Sequence, residues 1–390
     1  MKLLIVIGTR PEAIKLAPVV QLARKTPEID VTVVSTGQHR EMLDQTCAAL
    51  DMRIDIDLRI MEHCKDLCDI AARTIQEMGR VISDIKPDWI VVQGDTSTAA
   101  AAGMAGFYHK CRVAHVEAGL RSYDNNHPFP EEVNRKIVAA FAERHFAPTD
   151  NAYMNLVAEG VPEAKILMTG NTVIDALMMV RNKIKTDAGL RAQIMAELPP
   201  LDDGRRTVLI TAHRRENHGD GLAGICAAVR RLSADYPDTQ FVFPVHLNPN
   251  VQQAVTAGGL HDLPNVRTCA PLSYFTLVHL MSRSFMILTD SGGIQEEASA
   301  FSAPVLVLRE KTERMEGVEA GIARLVGADT AAIVENAREL MDNPRAYAHM
   351  ARAEMPYGDG KAAGRIIDAL LLEPHPQTAQ AKIGTQGLVA

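Results

Sequence analysis

The sequence predicts an α/β protein with two doubly wound, Rossmann-like parallel-sheet domains. Short continuous apolar runs alternate with amphipathic segments of helical length in both halves of the chain. The alternation restarts after the proline- and acid-rich segment Leu198 to Gly204, which marks a hinge region. A chain of 390 residues is also longer than one ordinary hydrophobic core accommodates. Continuous apolar runs are typical of parallel strands, which are buried on both faces.

The bulk composition excludes several classes of protein. A formal net charge of -7 and a pI of about 6.0 give the chain no general attraction for nucleic acid or an anionic membrane. No run of 18 apolar residues predicts a transmembrane helix. The start MKLLIVIGTRPE is interrupted by Arg10-Pro11-Glu12, so we interpret it as a strand and expect a cytoplasmic protein. The six cysteines are scattered as in a reducing compartment, and their spacing does not predict a metal site.

The first half is predicted to contain five strands, with helices between them. The predicted strands are Leu3 to Ile7, Val31 to Ser35, Trp89 to Val92, Val113 to Val116 and His145 to Thr149, the last being the final strand of this half. The predicted helices are Ala13 to Arg24, Glu41 to Leu50, residues 66 to 85, Ala99 to Phe107, and one that begins at Pro130 and continues to residue 145.

Polar side chains follow these strands at the point where each strand ends. Arg10, His39, Asp95 and Glu117 each come just after a predicted parallel strand. Ligands of open α/β sheets bind at the carboxyl ends of the strands, so these residues indicate one functional edge. The turn around Arg10 suits a phosphate but is neither a dinucleotide fingerprint nor a Walker loop. A plain turn with a solvated arginine, and a helix N-cap role for Asp95, are the alternatives.

The segment His115 to Arg135 carries two separated acidic sites. Glu117 follows a strand end, whereas Glu131 and Glu132 stand in the first turn of a helix, where negative charge is favoured. Carboxylates placed in this way can face one crevice and serve as acid and base around a small substrate. A capped helix followed by a solvated loop would give the same residue pattern, and the sequence leaves both interpretations open.

The second half repeats the alternation. Its predicted strands are Ile166 to Met168, Thr207 to Thr211, Phe241 to Pro244, a short strand at Val266, Ile287 to Thr289 and Pro304 to Leu308. A long helix covers Val173 to Ile184, Pro271 to Leu277 and Arg309 to Glu316 are predicted loops, and helices follow to about Leu372. Residues 373 to 390 are polar and are expected to be disordered.

Two loops of the second half suit an anionic ligand. His213, Arg214 and Arg215 follow a strand and fit an anion or a charge that develops during a reaction, unless they form a basic surface loop. Ser291-Gly292-Gly293 at a strand-to-helix turn offers unhindered backbone N–H groups to phosphate, with carboxylates for ribose hydroxyls one turn later. A nucleotide-linked substrate in a cleft between the two domains accounts for these loops and those of the first half.

Six motifs, in order along the chain, resemble those of one family closely. They are Gly8-Thr9-Arg10-Pro11-Glu12, Gln93-Gly94-Asp95-Thr96, His115-Val116-Glu117-Ala118-Gly119-Leu120-Arg121, Pro130-Glu131-Glu132-Val133-Asn134-Arg135, His213-Arg214-Arg215-Glu216-Asn217, and the stretch Thr289 to Glu297. The chain resembles, from residue 1 to about 370, the non-hydrolysing bacterial UDP-N-acetylglucosamine 2-epimerases. The resemblance implies a GT-B fold with the site between two domains, residues 1–170 and 171–355. It also implies a C-terminal helix, residues 356–372, that crosses back to the first domain, and a tail, residues 373–390.

The resemblance also implies an activity. Members of the family interconvert UDP-GlcNAc and UDP-ManNAc by eliminating UDP to 2-acetamidoglucal and adding it back, and they need neither nicotinamide nor a metal. The product supplies ManNAc for surface polysaccharide, and a homodimer is expected. A hydrolysing epimerase that releases UDP and free ManNAc, a GT-B glycosyltransferase and an inactive sugar-nucleotide sensor are the alternatives.

Residue roles follow from the resemblance alone. Asp95, Glu117 and Glu131 would be the acid/base carboxylates, without an assignment of which removes and which returns the C2 proton, and His213 would stabilise the leaving diphosphate. The implied substrate contacts are Arg10, Lys15, Asp95, Glu117, His213, Ser291, Gly292, Gly293, Glu297 and Arg314, with Glu297 on the ribose and Arg314 closing over the nucleotide. The loop Pro271 to Leu277 would lie near uracil.

A second UDP-GlcNAc, acting as an allosteric activator, is also implied by the resemblance. Its contacts would be Gln38, His39, Arg214 and His246. Cys64 stands where some members of the family carry arginine. This departure concerns the regulation and leaves the implied chemistry unchanged.

Overall fold

The structure of the protein is a computed structural model that describes residues 1–37, 40–126, 128–352 and 355–373. The chain divides into two compact units, one formed by Met1–Ala176 with the C-terminal segment that begins at Gly358, the other by Leu177–Tyr357. No helix among the described residues is both long enough and apolar enough to cross a membrane.

The described part of the first unit contains a parallel sheet of seven strands in the order β3-β2-β1-β4-β5-β6-β7. The strands are β1 (Lys2–Ile7), β2 (Asp30–Ser35), β3 (Ile56–Asp57), β4 (Trp89–Gln93), β5 (Arg112–Val116), β6 (Arg144–Ala147) and β7 (Ile166–Met168). The helices that follow them are α1 (Arg10–Lys25), α2 (Arg40–Ala49), α3 (Leu67–Ile85), α4 (Ser97–Tyr108), α5 (Glu131–Phe141), α6 (Asp150–Ala158) and α7 (Thr172–Thr186), which crosses the boundary between the units.

The small residues of α4 let this helix lie close to its neighbours. A Cβ atom at Gly103 would come within 2.7 Å of the Phe141 ring, and one at Gly106 within 2.7 Å of Ile90 Cδ1. Larger residues would therefore push α4 away from β4 and α5, because a packed core has no room for added atoms. Since α4 begins at Ser97, this packing fixes the turn that carries Asp95.

The second unit contains, among the residues described, six parallel strands in the order β10-β9-β8-β11-β12-β13. They are β8 (Arg206–Thr211), β9 (Thr239–Pro244), β10 (Val266–Cys269), β11 (Met286–Thr289), β12 (Val305–Val307) and β13 (Ala323–Leu325). The helices are α8 (Ala188–Glu197), α9 (Asp220–Asp235), α10 (Pro249–Ala257), α11 (Tyr274–Arg283), α12 (Gly292–Ala298), α13 (Met315–Glu319), α14 (Thr330–Asp342) and α15 (Pro344–Met350).

The last helix, α16 (Ala362–Leu372), belongs to the first unit and packs against α1. Its first backbone N–H groups, those of Ala362 and Ala363, donate to the buried carboxylate of Asp175 on α7 at 3.2 and 2.9 Å. These bonds satisfy groups that a helix N-terminus otherwise leaves unpaired. They therefore hold the returning C-terminal segment on the first unit.

Several sequence predictions about element boundaries are wrong. The strand at residues 145–149 is not the last of its sheet, because β7 pairs with β6. Helix α5 ends at Phe141 rather than continuing to residue 145, since Ala142 is extended and Arg144 already pairs with Ala114 of β5. The segment 271–277 is only partly a loop, because the Ser273 side chain caps α11 by accepting from Thr276 N. The strands β3 and β13 were not predicted.

Each sheet reverses its strand order once, between β1 and β4 in the first unit and between β8 and β11 in the second. The carboxyl ends of strands at such a reversal border the crevice in which open α/β sheets bind ligands. In the first unit these strands lead to the turns around Arg10 and Asp95. In the second they lead to the loop of His213 and the turn of Asp290.

Candidate active site

In the first unit, Glu117 is held by donors from two other elements. Lys15 of α1 places its Nζ 2.6 and 2.7 Å from the two Glu117 carboxylate oxygens, and Gln93 Nε2 at the end of β4 also donates to Glu117. Glu117 is buried and adopts a left-handed backbone conformation, with φ of 64°. A non-glycine residue in this region is strained by roughly 1 kcal/mol or more, and such strain is concentrated at functional sites.

Asp95 is positioned by two consecutive residues of α5. The guanidinium of Arg135 forms an ion pair with the Asp95 carboxylate, and Asn134 Nδ2 donates to the Asp95 carbonyl at 2.9 Å. Arg135 also lies 3.3 Å from an oxygen of Glu132, which is fully buried. Burial alone would raise the pKa of Glu132, but the Ser122 backbone N–H and Arg135 outweigh it and lower that pKa. The arginine therefore lies between a structural carboxylate and the predicted catalytic one.

Glu131 is the first residue of α5 and differs from the other two predicted carboxylates. Its Oε2 atom is buried and has no hydrogen bond to any residue that the structure describes. Glu117 and Asp95 each have a cation beside them. The structure thus gives Glu131 a different environment from the two carboxylates with which it was predicted to act.

The turn around Arg10 is closed by Glu12, to which the sequence assigned no role. The Glu12 carboxylate accepts from the backbone N–H groups of Gly8 at 2.9 Å and Thr9 at 2.6 Å. It also accepts from the hydroxyl of Thr96 at 2.7 Å, which joins this turn to that of Asp95. Burial raises the pKa of Glu12 despite these bonds. The N–H groups of Gly8 and Thr9 therefore bind a side chain, contrary to the prediction that this turn offers them to phosphate. Arg10 itself is half-buried.

His115 supports the turn that contains Gly94 and Asp95 through a hydrogen bond. Its Nε2 atom lies 2.7 Å from the Gly94 carbonyl, and Gly94 has a positive φ of 68°. Burial lowers the pKa of His115 to about 3, so the ring is neutral and Nε2–H is the donor in this bond.

In the second unit, the fully buried Asp290 organises the loop of His213. Its Oδ2 atom accepts from the backbone N–H groups of His213 and Arg214, both at 2.9 Å, and from Asn217 Nδ2 at 3.0 Å. Its Oδ1 atom lies 3.5 Å from His213 Nδ1. Asp290 thus joins the carboxyl ends of β8 and β11, and the sequence prediction missed it.

His213 and His246 lie side by side. Their ring centroids are 5.4 Å apart with an interplanar angle of 15°, and the His213 side chain is 38 % exposed. The His246 Nδ1 atom accepts from the backbone N–H of Asn248 at 3.1 Å. An imidazole stacked in this way can still offer its second nitrogen to a ligand.

The turn Ser291-Gly292-Gly293 carries a guanidinium against its backbone. A Cβ atom on Gly292 would lie 2.8 Å from Arg314 Cζ, so only glycine leaves room for Arg314 at this position. Arg314 Nε lies 3.0 Å from Glu296, and Nη1 contacts Glu313. Burial opposes a charge on Glu313, but Arg314 and Arg309 outweigh it and lower its pKa to about 2. Arg314 is therefore held beside the helix N-terminus that was predicted to bind diphosphate.

Three further predicted residues are described in part. Glu297 is buried, with Oε1 at 3.4 Å from the Tyr274 hydroxyl. Arg214 Nε is buried without a hydrogen bond to any described residue. Cys64 Sγ donates to the Ile60 carbonyl at 3.2 Å. Gln38, His39 and residues 374–390 of the predicted tail lie outside the described residues.

Each missed residue has at least one partner that is remote in sequence. Gln93 and Asp290 directly end or follow strands, so the rule that singled out Asp95 could have found both. Glu12 stands three residues after Thr9, which is the spacing of a capping box, so a local signal could have found its role at the helix N-terminus. Arg135 stands inside helix α5, and no local signal distinguishes it from a surface charge. The bond between Glu12 and Thr96 and the ion pair between Arg135 and Asp95 are visible only in the tertiary structure.

Comparison with known proteins relates this geometry to one family. The profile of the UDP-N-acetylglucosamine 2-epimerase family matches residues 21–371. The UDP-N-acetylglucosamine 2-epimerase of Campylobacter jejuni is 45 % identical over 373 residues, covering 95 % of this chain and 97 % of that protein.

Solved structures give the same result. The structure of the Neisseria meningitidis UDP-GlcNAc 2-epimerase bound to UDP-GlcNAc has a TM-score of 0.90 at 45 % identity, covering 96 % of this chain and 100 % of that one. The Methanocaldococcus jannaschii enzyme, solved in complex with UDP-GlcNAc and UDP, has a TM-score of 0.81 at 31 % identity, with coverage of 96 and 100 %. The two parallel-sheet units are those of the predicted GT-B fold class. The chain belongs to the UDP-N-acetylglucosamine 2-epimerase family.

Proposed function

We propose that this protein catalyses the reversible interconversion of UDP-GlcNAc and UDP-ManNAc without releasing free ManNAc. The observation that carries the proposal is a pair of carboxylates at the carboxyl edge of the first sheet, each of which forms an ion pair with a basic side chain. Glu117 pairs with Lys15, and Asp95 pairs with Arg135. The relative from N. meningitidis, at 45 % identity, was solved with UDP-GlcNAc bound. Membership of the family supports the same assignment.

The reaction is an elimination followed by an addition. A base takes the proton from C2 as the C1–O bond breaks, and UDP leaves with the electron pair of that bond. The products of this step are 2-acetamidoglucal and UDP. UDP then adds back to C1 while an acid delivers a proton to the opposite face of C2. Two proton-transfer groups on opposite faces of one carbon are therefore required. The sequence of steps involves no net oxidation or reduction.

The acid/base work falls to the first domain in this proposal. Asp95, Glu117 and Glu131 are the proton-transfer residues. Their contrasting environments support a division of roles, because two of them have a cation beside the carboxylate and Glu131 has a buried oxygen with no described partner. Carboxylates whose surroundings differ in this way can take different parts in a reaction. Lys15 acts at Glu117, with which it is paired.

The second domain holds the UDP part of the substrate. The backbone of Ser291, Gly292 and Gly293, together with the guanidinium of Arg314, contacts the diphosphate, and Glu297 contacts the ribose. The position of Arg314 against Gly292 supports this role, because a cation and a helix N-terminus both attract an anion. His213 stabilises the leaving diphosphate, and Arg10 of the first domain is a further phosphate contact.

Regulation and assembly extend the proposal. A second molecule of UDP-GlcNAc, with Gln38, His39, Arg214 and His246 as contacts, acts as an activator. The protein works as a homodimer in the cytoplasm and supplies ManNAc for surface polysaccharide. Titration of the activity with UDP-GlcNAc tests the regulation, since an activator site gives a sigmoidal rather than a hyperbolic curve.

Proton NMR of the purified protein with UDP-GlcNAc in D2O, without an added cofactor, tests the activity. We expect UDP-ManNAc to accumulate with deuterium at C2, because the removed proton exchanges with solvent before a proton is returned. Free ManNAc and UDP would instead establish a hydrolysing epimerase. An unchanged spectrum would contradict the proposal and would leave a glycosyltransferase or a binding protein to be tested with acceptor sugars.

A further inference from the structure

The two carboxylate oxygens of Asp290 have different partners. Oδ2 receives the backbone N–H groups of His213 and Arg214 and the amide of Asn217, at 2.9, 2.9 and 3.0 Å. Oδ1 is equally buried but accepts no hydrogen bond from any described residue. The anchoring of the His213 loop is thus complete without Oδ1, and that anchoring does not explain why the residue here needs a second carboxylate oxygen.

A buried carboxylate oxygen without a donor is costly. A polar group of this kind loses its hydrogen bonds to water on burial, and the loss is greater when the group is charged. The polar atom opposite Oδ1 is His213 Nδ1, at 3.5 Å. This distance exceeds that of a strong hydrogen bond. A modest rotation of the imidazole ring is enough to bring the two atoms within hydrogen-bonding distance. His213 Nδ1 is therefore the donor that can complete the surroundings of Asp290.

We propose that Asp290 is a positioning residue for His213, whose Nδ1–H donates to the buried Oδ1 and thereby fixes the tautomer and the orientation of the imidazole. A carboxylate hydrogen-bonded to one nitrogen of an imidazole determines which nitrogen carries the proton. The second nitrogen, Nε2, is then the one that acts on the substrate. The inference rests on the proposed function only in the role that it gives to His213 in the reaction.

The adjacent imidazole, that of His246, uses its Nδ1 atom as an acceptor, whereas His213 Nδ1 is assigned as a donor. His246 Nδ1 accepts from the Asn248 backbone N–H at 3.1 Å, so this nitrogen carries no proton and Nε2 is protonated. Two histidine rings stacked 5.4 Å apart are therefore expected to be opposite tautomers, Nδ1–H for His213 and Nε2–H for His246. A general effect of the local environment would give both rings the same tautomer.

The tautomer matters for the departure of UDP. When the C1–O bond breaks, its electron pair goes to the diphosphate oxygen, and a protonated His213 donates its Nε2–H to that oxygen. The buried carboxylate of Asp290 stabilises the imidazolium that donates this proton, as in other carboxylate–imidazole pairs. In the return direction the same nitrogen takes the proton back as the oxygen re-forms its bond to C1. Protons and electron pairs balance in both directions.

The first test observes the wild-type protein directly. Long-range ¹H–¹⁵N correlation spectra of protein labelled with ¹⁵N-histidine, recorded at about pH 8 where free imidazole is neutral, distinguish the two tautomers. The His213 and His246 signals are assigned by their loss in His213→Asn and His246→Asn. We expect the Nδ1–H form for His213 and the Nε2–H form for His246. An Nε2–H form of His213 would overturn the inference.

The second test replaces Asp290 by Asn. The amide oxygen of the variant can accept the three donors that Oδ2 now accepts, which places an NH₂ group opposite His213 Nδ1. We expect the His213 signal to change to the Nε2–H form. We expect kcat to fall by about a hundredfold, the scale for loss of a correctly protonated acid, with KM changed much less. Asp329→Asn is the matched control, because Asp329 caps α14 by accepting from Ala332 N at 2.9 Å and takes no part in the site.

A double-mutant cycle separates positioning from a purely structural role. If Asp290 acts through His213, Asp290→Asn lowers kcat no further in the His213→Asn background. Equal losses in both backgrounds would overturn the inference. Should Asp290→Asn fail to fold, the spectrum of the wild-type protein still decides. The proposed function fails separately, if the wild-type protein does not form UDP-ManNAc, whereas the tautomer measurement needs no substrate.

Discussion

Asp95 and Asp290 stand at equivalent places in the two units. Each follows the strand just beyond the point where its sheet reverses strand order, and each precedes a helix. The Asp95 side chain is 25 % exposed and pairs with Arg135. Asp290 is fully buried and receives backbone and amide donors. The same residue type at the same topological position is thus partly exposed in one unit and enclosed in the other.

The helices that follow the two aspartates differ as well. Thr96 caps α4, because its hydroxyl accepts from Ala99 N at 3.0 Å. Helix α12 begins after Ser291 without a side-chain cap, and the Arg314 guanidinium lies against its first glycine. A side-chain cap occupies backbone N–H groups that could otherwise bind an anion, whereas an uncapped N-terminus leaves them accessible and a neighbouring cation adds to the attraction. A polar residue after a strand therefore marks the functional edge of a sheet, while its surroundings decide what it does there.

The largest expected effect tests whether Asp95 differs from Asp290 as a reacting group. Asp95→Asn is expected to lower turnover by about a hundredfold or more, because an amide cannot exchange a proton with C2. Glu117→Gln and Glu131→Gln are expected to have losses of the same scale. Turnover is followed by NMR, with Glu143→Gln, an exposed partner of Lys165, as the control. Near-normal turnover in any of the three would remove that residue from the mechanism.

A smaller effect is expected at the uncapped turn of the second unit. Gly292→Ala would place a methyl group 2.8 Å from Arg314 Cζ, so the guanidinium must move away from the helix N-terminus. We expect UDP to bind about tenfold more weakly, a loss of roughly 1.4 kcal/mol, as measured by calorimetry. Gly364→Ala on α16, where a Cβ meets nothing within 4 Å, is the matched control. Unchanged affinity in Gly292→Ala would show that Arg314 and this turn do not hold the diphosphate.

The pH dependence of stability tests the role of His115, which supports the turn that carries Asp95 in the first unit. The pKa of His115 is lowered from 6.5 to about 3 by burial, so the unfolded chain binds more protons than the folded one between these values. Its contribution to stability is present above pH 6.5 and is lost as the pH falls toward 3, by about 1.4 kcal/mol for each pH unit. His115→Gln is therefore expected to unfold with a weaker dependence on pH in this window.

Thermal unfolding between about pH 4 and 8 measures this difference. His261→Gln is the control, because it replaces an exposed rather than a buried histidine. His145, whose pKa burial lowers to about 4, retains its own contribution in His115→Gln. Parallel pH curves for wild type and His115→Gln would contradict a buried neutral role for His115.

The smallest expected effect concerns the cap of α4. Thr96→Ala removes the bond to Ala99 N and the donor to Glu12, at a cost of about 1 kcal/mol for a lost N-cap. Because the neighbouring residue is Asp95, we expect turnover to fall several-fold as well. Asp329→Ala removes the cap of α14 and should cost similar stability without loss of turnover. Equal turnover in the two variants would show that the cap of α4 serves only the helix.

The fold class and the functional edge follow from local patterns in the sequence. Continuous apolar runs between turn signals predicted strands buried on both faces, and β1, β2, β4 and β5 were placed to within one or two residues. The same pattern placed Asp95, Glu117 and His213 at strand ends. Periodicity and turn chemistry are properties of short segments, so the order of residues within each segment is sufficient to find them.

Which side chains meet depends instead on the tertiary structure. Lys15 is paired with Glu117, Arg135 with Asp95, and Asp290 with His213, although each pair is far apart in sequence. Helix α5 likewise ends at Phe141 and strand β6 begins at Arg144, because Arg144 pairs with Ala114 of β5. No local pattern in the sequence predicts that pairing. Strand order and packing bring these atoms together, and the protonation state and orientation of each group depend on those contacts. The edge of the sheet is a local property of the sequence, whereas the chemistry at that edge depends on contacts between distant segments.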